Sequence, residues 1–145
     1  MFVHATCVAL RQGRSWRAVL LRGPSGAGKS DLALRLIEGG ARLVADDQTH
    51  LARKGRTLIA AAPASLAGMI EVRGIGIVKL RRTQLLASAP LCLLVDLVLP
   101  GKVERMPEPA RETVQGIDLP RLALAPFEAS TATKLRLALS QIAAA

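Results

Sequence analysis

The stretch 19-VLLRGPSGAGKSDLALRLIEGG-40 constrains the fold more than any other part of the chain. Val19, Leu20 and Leu21 form an apolar run of strand length. Gly23, Pro24, Ser25, Gly26, Ala27, Gly28, Lys29 and Ser30 then fit G-x-x-x-x-G-K-[ST]. Leu32, Leu34, Leu36 and Ile37 follow among strong helix formers, and Gly39-Gly40 stops the helix. Strand, glycine-rich loop and helix in that order are the context this motif needs. The glycines let backbone N–H groups curl around phosphate oxygens, and the helix N-terminus adds partial positive charge. Lys29 is placed to reach β- and γ-phosphates, and Ser30 to ligate Mg²⁺. At average glycine usage a chance match in such a chain is roughly one in a few hundred, so the motif is read as a nucleotide-phosphate site.

The chain has 145 residues, enough for one domain with a real core. Half of them are hydrophobic, which argues against disorder. Phe2, Trp16 and Phe127 are the only aromatics, so the core must be aliphatic and base-stacking platforms are few. A net charge of +9 suits an anionic ligand or an acidic partner. The arginines are dispersed and no nucleic-acid motif is present, so no nucleic-acid partner is expected. Cys7 and Cys92 lie in apolar runs without a C-x-x-C pair, which predicts buried, reduced thiols. The most apolar run, 91-LCLLVDLVL-99, is short and carries Asp96, which predicts a buried strand and not a membrane span. No basic-then-apolar leader opens the sequence, so a cytoplasmic protein is expected.

Along the chain, residues 2–10 and 16–22 read as two strands around a turn at 11–15. After the loop and its helix, 42–53 reads as a strand running into a polar site, then a second short strand. Residues 57–61 form another. The piece 63–74 reads as helical or irregular and leads to a strand at 75–80. A loop spans 100–110, and 113–124 holds one or two strands. An Ala/Leu-rich helix covers 129–144, capped by Ser130 or Thr131. This is a mixed α/β domain with more strands than helices.

Asp46-Asp47 closes the apolar run 43-LVA-45, sixteen residues after Ser30. Two adjacent acids at a strand end are costly unless solvated or paired with cations or metal. Beside a phosphate loop, one can hold Mg²⁺ through water and the other can accept the proton of an attacking hydroxyl. A plain polar strand end is the competing explanation. Asp96, ending 92-CLLVD-96, has the apolar-run-then-Asp pattern of a second metal-site strand. Spacing alone leaves Asp96 and Asp46/Asp47 equal. Glu71 sits in 70-IEVRGIGIV-78, where Gly74 and Gly76 imply a bulge or a close backbone approach. From pattern alone, His4 and His50 read as structural, and Arg105 is one arginine among many.

The segments 3-VHATCV-8, 23-GPSGAGKSDLALRLIEGGARLVADD-47 and 70-IEVRGIGIV-78 together resemble the catalytic domain of HPr kinase/phosphorylase. The resemblance is strong over residues 3–80 and weak over 81–145. It implies a single α/β P-loop kinase-like domain spanning 1–145, with a mixed β-sheet and flanking helices, related to phosphoenolpyruvate carboxykinase-type P-loop folds. It implies phosphorylation of a seryl hydroxyl on HPr, with ATP as donor and Mg²⁺ as metal, in a homo-oligomer such as a hexamer. Carried over residue by residue, residues 23–30 bind ATP, and Ser30 and Glu71 ligate Mg²⁺. Asp47 is the base, Asp46 supports it, and Lys29, His4 and Arg105 complete the catalytic group. Block 70–79 serves both directions of the reaction.

Three departures shape this expectation, the first being the turn 11-RQGRSW-16, which is longer than the family's and bears on where His4 stands. His4 opens the match, so the family's N-terminal regulatory domain is expected to be absent. The family's later Pro-x-x-Gly-Arg-Asn-like loop is replaced by 126-PFEASTATK-134, which predicts weak phosphate-dependent dephosphorylation. The residues themselves leave two other readings open: a small-molecule P-loop kinase using Asp96, and a non-catalytic ATP-sensing module.

Overall fold

The computed structural model describes residues 1–142. Its first long element is a hairpin of β2 (Ala5–Gln12) and β3 (Ser15–Arg22), preceded by the short β1 (Phe2–Val3). Gln12 and Ser15 pair directly, so the turn is only Gly13-Arg14. Gly13 at φ 60° supplies the positive φ that such a two-residue turn needs. Helix α1 (Lys29–Glu38) follows the glycine loop, then β4 (Arg42–Ala45), β5 (Thr49–Lys54) and β6 (Thr57–Ala61). A second hairpin, β7 (Met69–Val72) and β8 (Gly76–Lys79), leads to the long β9 (Ser88–Leu97). The strands β10 (Ala110–Val114) and β11 (Ile117–Leu124) and the helix α2 (Thr131–Ser140) complete the chain.

The main sheet runs β1-β5-β6-β9-β3-β2-β4, and β11 joins it at β9. One edge of β9 pairs parallel with β3. Its other edge is shared: residues 88–90 pair antiparallel with β6, and 94–97 pair parallel with β11. The sheet therefore forks and curls. Strands β2 and β3 are buried on both faces, which explains their continuous apolar runs. Val8, Leu10, Val19 and Leu21 pack under the helices with Leu32, Leu36, Leu135 and Leu139. Cys7, Ala9, Ala18 and Leu20 face the other way, toward Leu51, Leu58 and Leu119. A register shift against Ala18/Val19 leaves Cys92 of β9 as an extra residue, so Leu91 and Leu94 share one face while Leu93 and Val95 share the other. The buried apolar residues are Ala, Val, Leu, Ile and Cys7, an aliphatic core as the composition predicts.

Most element positions agree with the sequence reading, and several details differ, the first turn being 13–14 and not 11–15. Residues 69–72 are a strand, not a helical or irregular piece. Gly74 and Gly76 mark neither a bulge nor a close approach. Nothing lies within 4 Å of a Cβ built at either one. Gly74 instead takes φ 90° in a turn closed by Ile75 N–H donating to the Val72 carbonyl, where only positive φ fits. Ser130 occupies the cap of α2 without a capping side-chain bond, while Thr131 Oγ1 donates to the Ala125 carbonyl at 2.5 Å. Positions 143 and 144 of the expected helix lie outside the described residues. Cys7 is buried and Cys92 half-buried, both free, and burial raises the pKa of each thiol. Among the described residues no helix is long and apolar enough to cross a membrane.

Candidate active site

The glycine loop leaves the carboxyl end of β3 and enters α1 with no side chain capping that helix end. Gly26 and Gly28 take φ 82° and 97°, a region closed to most side chains. At Gly23 the constraint is space, since a Cβ there would come within 2.8 Å of the Ala27 Cβ. The loop is thus bent so that its amides and the uncapped first turn of α1 make an anion cradle. Lys29 is buried, and its ammonium donates to the carbonyls of Gly23 at 2.6 Å and Pro24 at 3.1 Å. It is folded onto its own loop.

Beneath the loop, Asp46 ties four elements together. Its Oδ1 accepts from Ser30 Oγ at 2.6 Å and from Thr6 Oγ1 at 3.0 Å, and its Oδ2 accepts from the Glu71 backbone N–H at 3.0 Å. The fully buried Thr6 also accepts from the Asp47 backbone N–H at 3.1 Å. Asp47 adopts φ 64°, uncommon for a residue with a Cβ although more accessible to Asp and Asn than to most. That conformation turns its carboxylate into the cleft, where His4 Nε2 lies 2.7 Å from Asp47 Oδ1. Both side chains are more than half exposed. An exposed pair of this kind adds little stability; its value is in fixing where the carboxylate stands.

A cleft of about 650 Å³ opens above these residues. Gly28, Lys29, Ser30, Asp47 and Glu71 line it together with the β7–β8 turn. Ser30, Asp46 and Glu71 supply only oxygen donors, the set that a magnesium ion takes beside substrate phosphates; the residues present fit that metal.

Two of the singled-out residues are elsewhere. Arg105 is exposed in the loop before β10 and does not line the cleft. Asp96 is held by Arg22, at 2.8 Å from Nε and 3.2 Å from Nη2. The same guanidinium binds Glu112 at 2.7 and 2.9 Å. Arg22 hydrogen bonding keeps the Glu112 carboxyl down at about 2. Of the two candidate acidic positions, Asp46/Asp47 reaches the phosphate loop and Asp96 does not. His50, read as structural, packs its ring on Phe2 with centroids 4.9 Å apart.

Thr6 escaped the sequence reading, although a hydroxyl two positions after His4 in an otherwise apolar strand was the available signal. Phe127 escaped it too. Its ring lies against Gly28, where a built Cβ would meet it at 2.8 Å.

A phosphate loop at the end of a central strand, an acid pair below it and a curled mixed sheet backed by two helices define a P-loop kinase-like domain. Over residues 3–123 the sequence matches the family described as HPr Serine kinase C-terminal domain. The chain belongs to that family. Similar proteins include HPr kinase/phosphorylase of Limosilactobacillus reuteri (strain DSM 20016), 34% identical over 115 residues, which are 73% of this chain and 36% of that protein. The HPr kinase/phosphorylase of Geobacillus thermodenitrificans is 36% identical over 115 residues, 73% of this chain and 37% of that protein. That of Levilactobacillus brevis is 48% identical over 61 residues, 41% of this chain and 20% of that protein. The chain thus spans between a fifth and just over a third of these relatives' length. Among solved structures, the Hpr(Ser) kinase/phosphatase from Coxiella burnetii superposes with a TM-score of 0.81 at 25% identity, covering 97% of this chain and 88% of that one.

Proposed function

We propose that this chain is an ATP- and Mg²⁺-dependent protein kinase that phosphorylates a seryl hydroxyl on an HPr-type phosphocarrier in the cytoplasm. The observation that carries the reading is the position of Asp47, held by His4 at the mouth of the cleft beside the Ser30–Asp46 pair. A base there can take the seryl proton as the seryl oxygen bonds to the γ-phosphorus and ADP leaves. His4 orients the carboxylate. Lys29 leaves its loop carbonyls to meet the transferring phosphoryl group. The loop amides hold the remaining phosphates, so catalysis is positioning plus charge neutralisation. Ser30 and Glu71 would ligate Mg²⁺ with Asp46 behind Ser30, and the metal when bound neutralises charge on the β- and γ-phosphates. Arg105 joins this group by resemblance alone. A homo-oligomer, hexameric by the same resemblance, belongs to the proposal.

The experiment is single-turnover transfer from Mg-ATP to purified HPr by the wild type and by Asp47→Asn. Asparagine tolerates the left-handed backbone at this position, so the substitution removes the base without new strain. Transfer should fall by ~10²–10⁴ while Mg-ADP still binds. Wild-type speed in the variant would refute the assignment of the base. Nucleotide binding by the wild type without any transfer would favour an ATP-sensing module. The small-molecule kinase reading has lost its particular support, because Arg22 engages Asp96.

A further inference from the structure

We infer that an apolar groove on the far side of the phosphate loop holds the purine nucleoside end of the phosphoryl donor, with Phe127 and Leu99 as its walls. The inference rests on the proposed ATP site and assigns the half of that ligand which the cleft does not.

Two cavities flank the loop. The first holds Asp47 and Glu71. The second, about 540 Å³, is lined by Ala27, Leu97, Leu99, Pro100, Pro126 and Phe127 among others. Ser25, Gly26 and Phe127 border both, so the two adjoin across the loop. A nucleotide whose reacting phosphate lies by Asp47 must send its other end away from that residue. Across the loop it meets this groove.

The walls of the groove are the segments that follow the carboxyl ends of β3, β9 and β11, three mutually parallel strands. After β3 the chain departs through α1 to β4 on one side of the sheet, and after β9 it goes to β11 on the other. A crevice outside strand ends that diverge in this way is where open α/β sheets bind their ligands. The walls are also fixed in place. Arg35 of α1 donates to the Pro126 carbonyl and, at 3.3 Å, to that of Glu128. Thr131 pins Ala125, and the Val98 N–H donates to the Leu124 carbonyl at 3.0 Å. On this rigid frame Phe127 is 68% exposed and Leu99 75%. One of only three aromatic residues in the chain therefore lies on the phosphate loop with much of its surface uncovered. A purine offers a matching flat apolar surface. The groove's acid, Glu128, is paired with Lys134 at 3.1 Å, which suits the uncharged end of a nucleotide.

The test is calorimetric titration of wild type, Phe127→Ala and Leu99→Ser with two probes, Mg-ADP and Mg-tripolyphosphate. Each substitution should weaken Mg-ADP about tenfold, the scale of a lost stacking contact. Tripolyphosphate, which has no nucleoside, should bind Leu99→Ser as it binds the wild type. Equal Mg-ADP affinity in all three proteins would overturn the inference, leaving the groove to a protein partner or a second copy. Parallel weakening of both probes by both substitutions would also overturn it, because the effect would then belong to the loop. A wild type that binds neither probe would defeat the proposed ATP site itself and this inference with it.

Discussion

Thr6→Val removes one buried hydroxyl and changes the side chain's shape very little, which makes it the sharpest probe of how Asp47 is positioned. That hydroxyl donates to Asp46 at 3.0 Å and accepts from the Asp47 N–H at 3.1 Å. A hydrogen bond to a charged acceptor is worth roughly 1.5–3 kcal/mol, and a neutral one about 1 kcal/mol. Asp47 is exposed, so water recovers part of the second term. The gain from a more apolar buried side chain offsets part of the first. A net loss of about 2 kcal/mol of folding stability is expected. The effect on turnover should be larger in proportion. The left-handed backbone at Asp47 costs about 1–3 kcal/mol and persists only while its surroundings hold it. Released from Thr6, the segment relaxes and the carboxylate moves off His4. A shift on the order of 1 Å costs about 10²-fold in rate. Asp46 keeps Ser30 and the Glu71 N–H, so nucleotide affinity should stay near wild type. Urea unfolding gives the stability term, and single-turnover transfer with a separate Mg-ADP titration divides rate from binding. Thr6→Ser, which restores the hydroxyl, should recover most of the rate. A Thr6→Val protein with unchanged rate, or a Thr6→Ser protein as slow as Thr6→Val, would refute the positioning argument.

Lys29→Ala should leave the fold intact and nearly abolish transfer, since the ammonium donates only to two carbonyls of its own loop; near-normal transfer would mean that the loop does not hold the reacting phosphates. Glu112→Gln should cost about 1–2 kcal/mol at neutral pH, a value reduced for partial solvent exposure of the Arg22 pair. Because the folded Glu112 carboxyl sits at about 2 against an ordinary 4.5, its contribution is present above 4.5 and is lost as pH falls toward 2; urea midpoints of the two proteins should converge over that window. Phosphate-dependent dephosphorylation of seryl-phosphorylated HPr should be much slower than the forward reaction, since 126–134 has no Gly-Arg pair and Lys134 is engaged by Glu128; pyrophosphate release as fast as phosphorylation would contradict this.

The phosphate loop was legible because its requirements are local: glycines for positive φ, a strand before and a helix after. The double acid was legible because a strand end carrying two carboxylates is expensive unless something answers them. The β7 strand was not. Residues 63–72 are rich in Ala, Leu, Met and Glu, which favour helix, and tertiary contacts override that preference. Ile70 is buried beneath the helices, and Asp46 takes the Glu71 N–H. Choosing between Asp96 and Asp46/Asp47 from spacing was impossible for a related reason. Both end apolar runs, and only the parallel register of β3 on β9 sets Arg22 against Asp96. Thr6 is ordinary as a strand residue and acquires its role only when β2 and β4 lie side by side.

The forked strand β9 bears on how this molecule comes into being. β3 gains its first neighbour at once, through a two-residue turn, but its second neighbour lies 74 residues further along the chain at the Arg22–Asp96 pair. Closing so long a loop must precede any reward from the pairing, and non-local closures of this kind slow folding. Residues 3–78, which hold the phosphate loop, Asp46, Asp47 and Glu71, leave on their own an apolar edge of β3 unpaired, and bare edges invite aggregation. The strand that carries the phosphate cradle is therefore completed only by a segment far downstream in the chain.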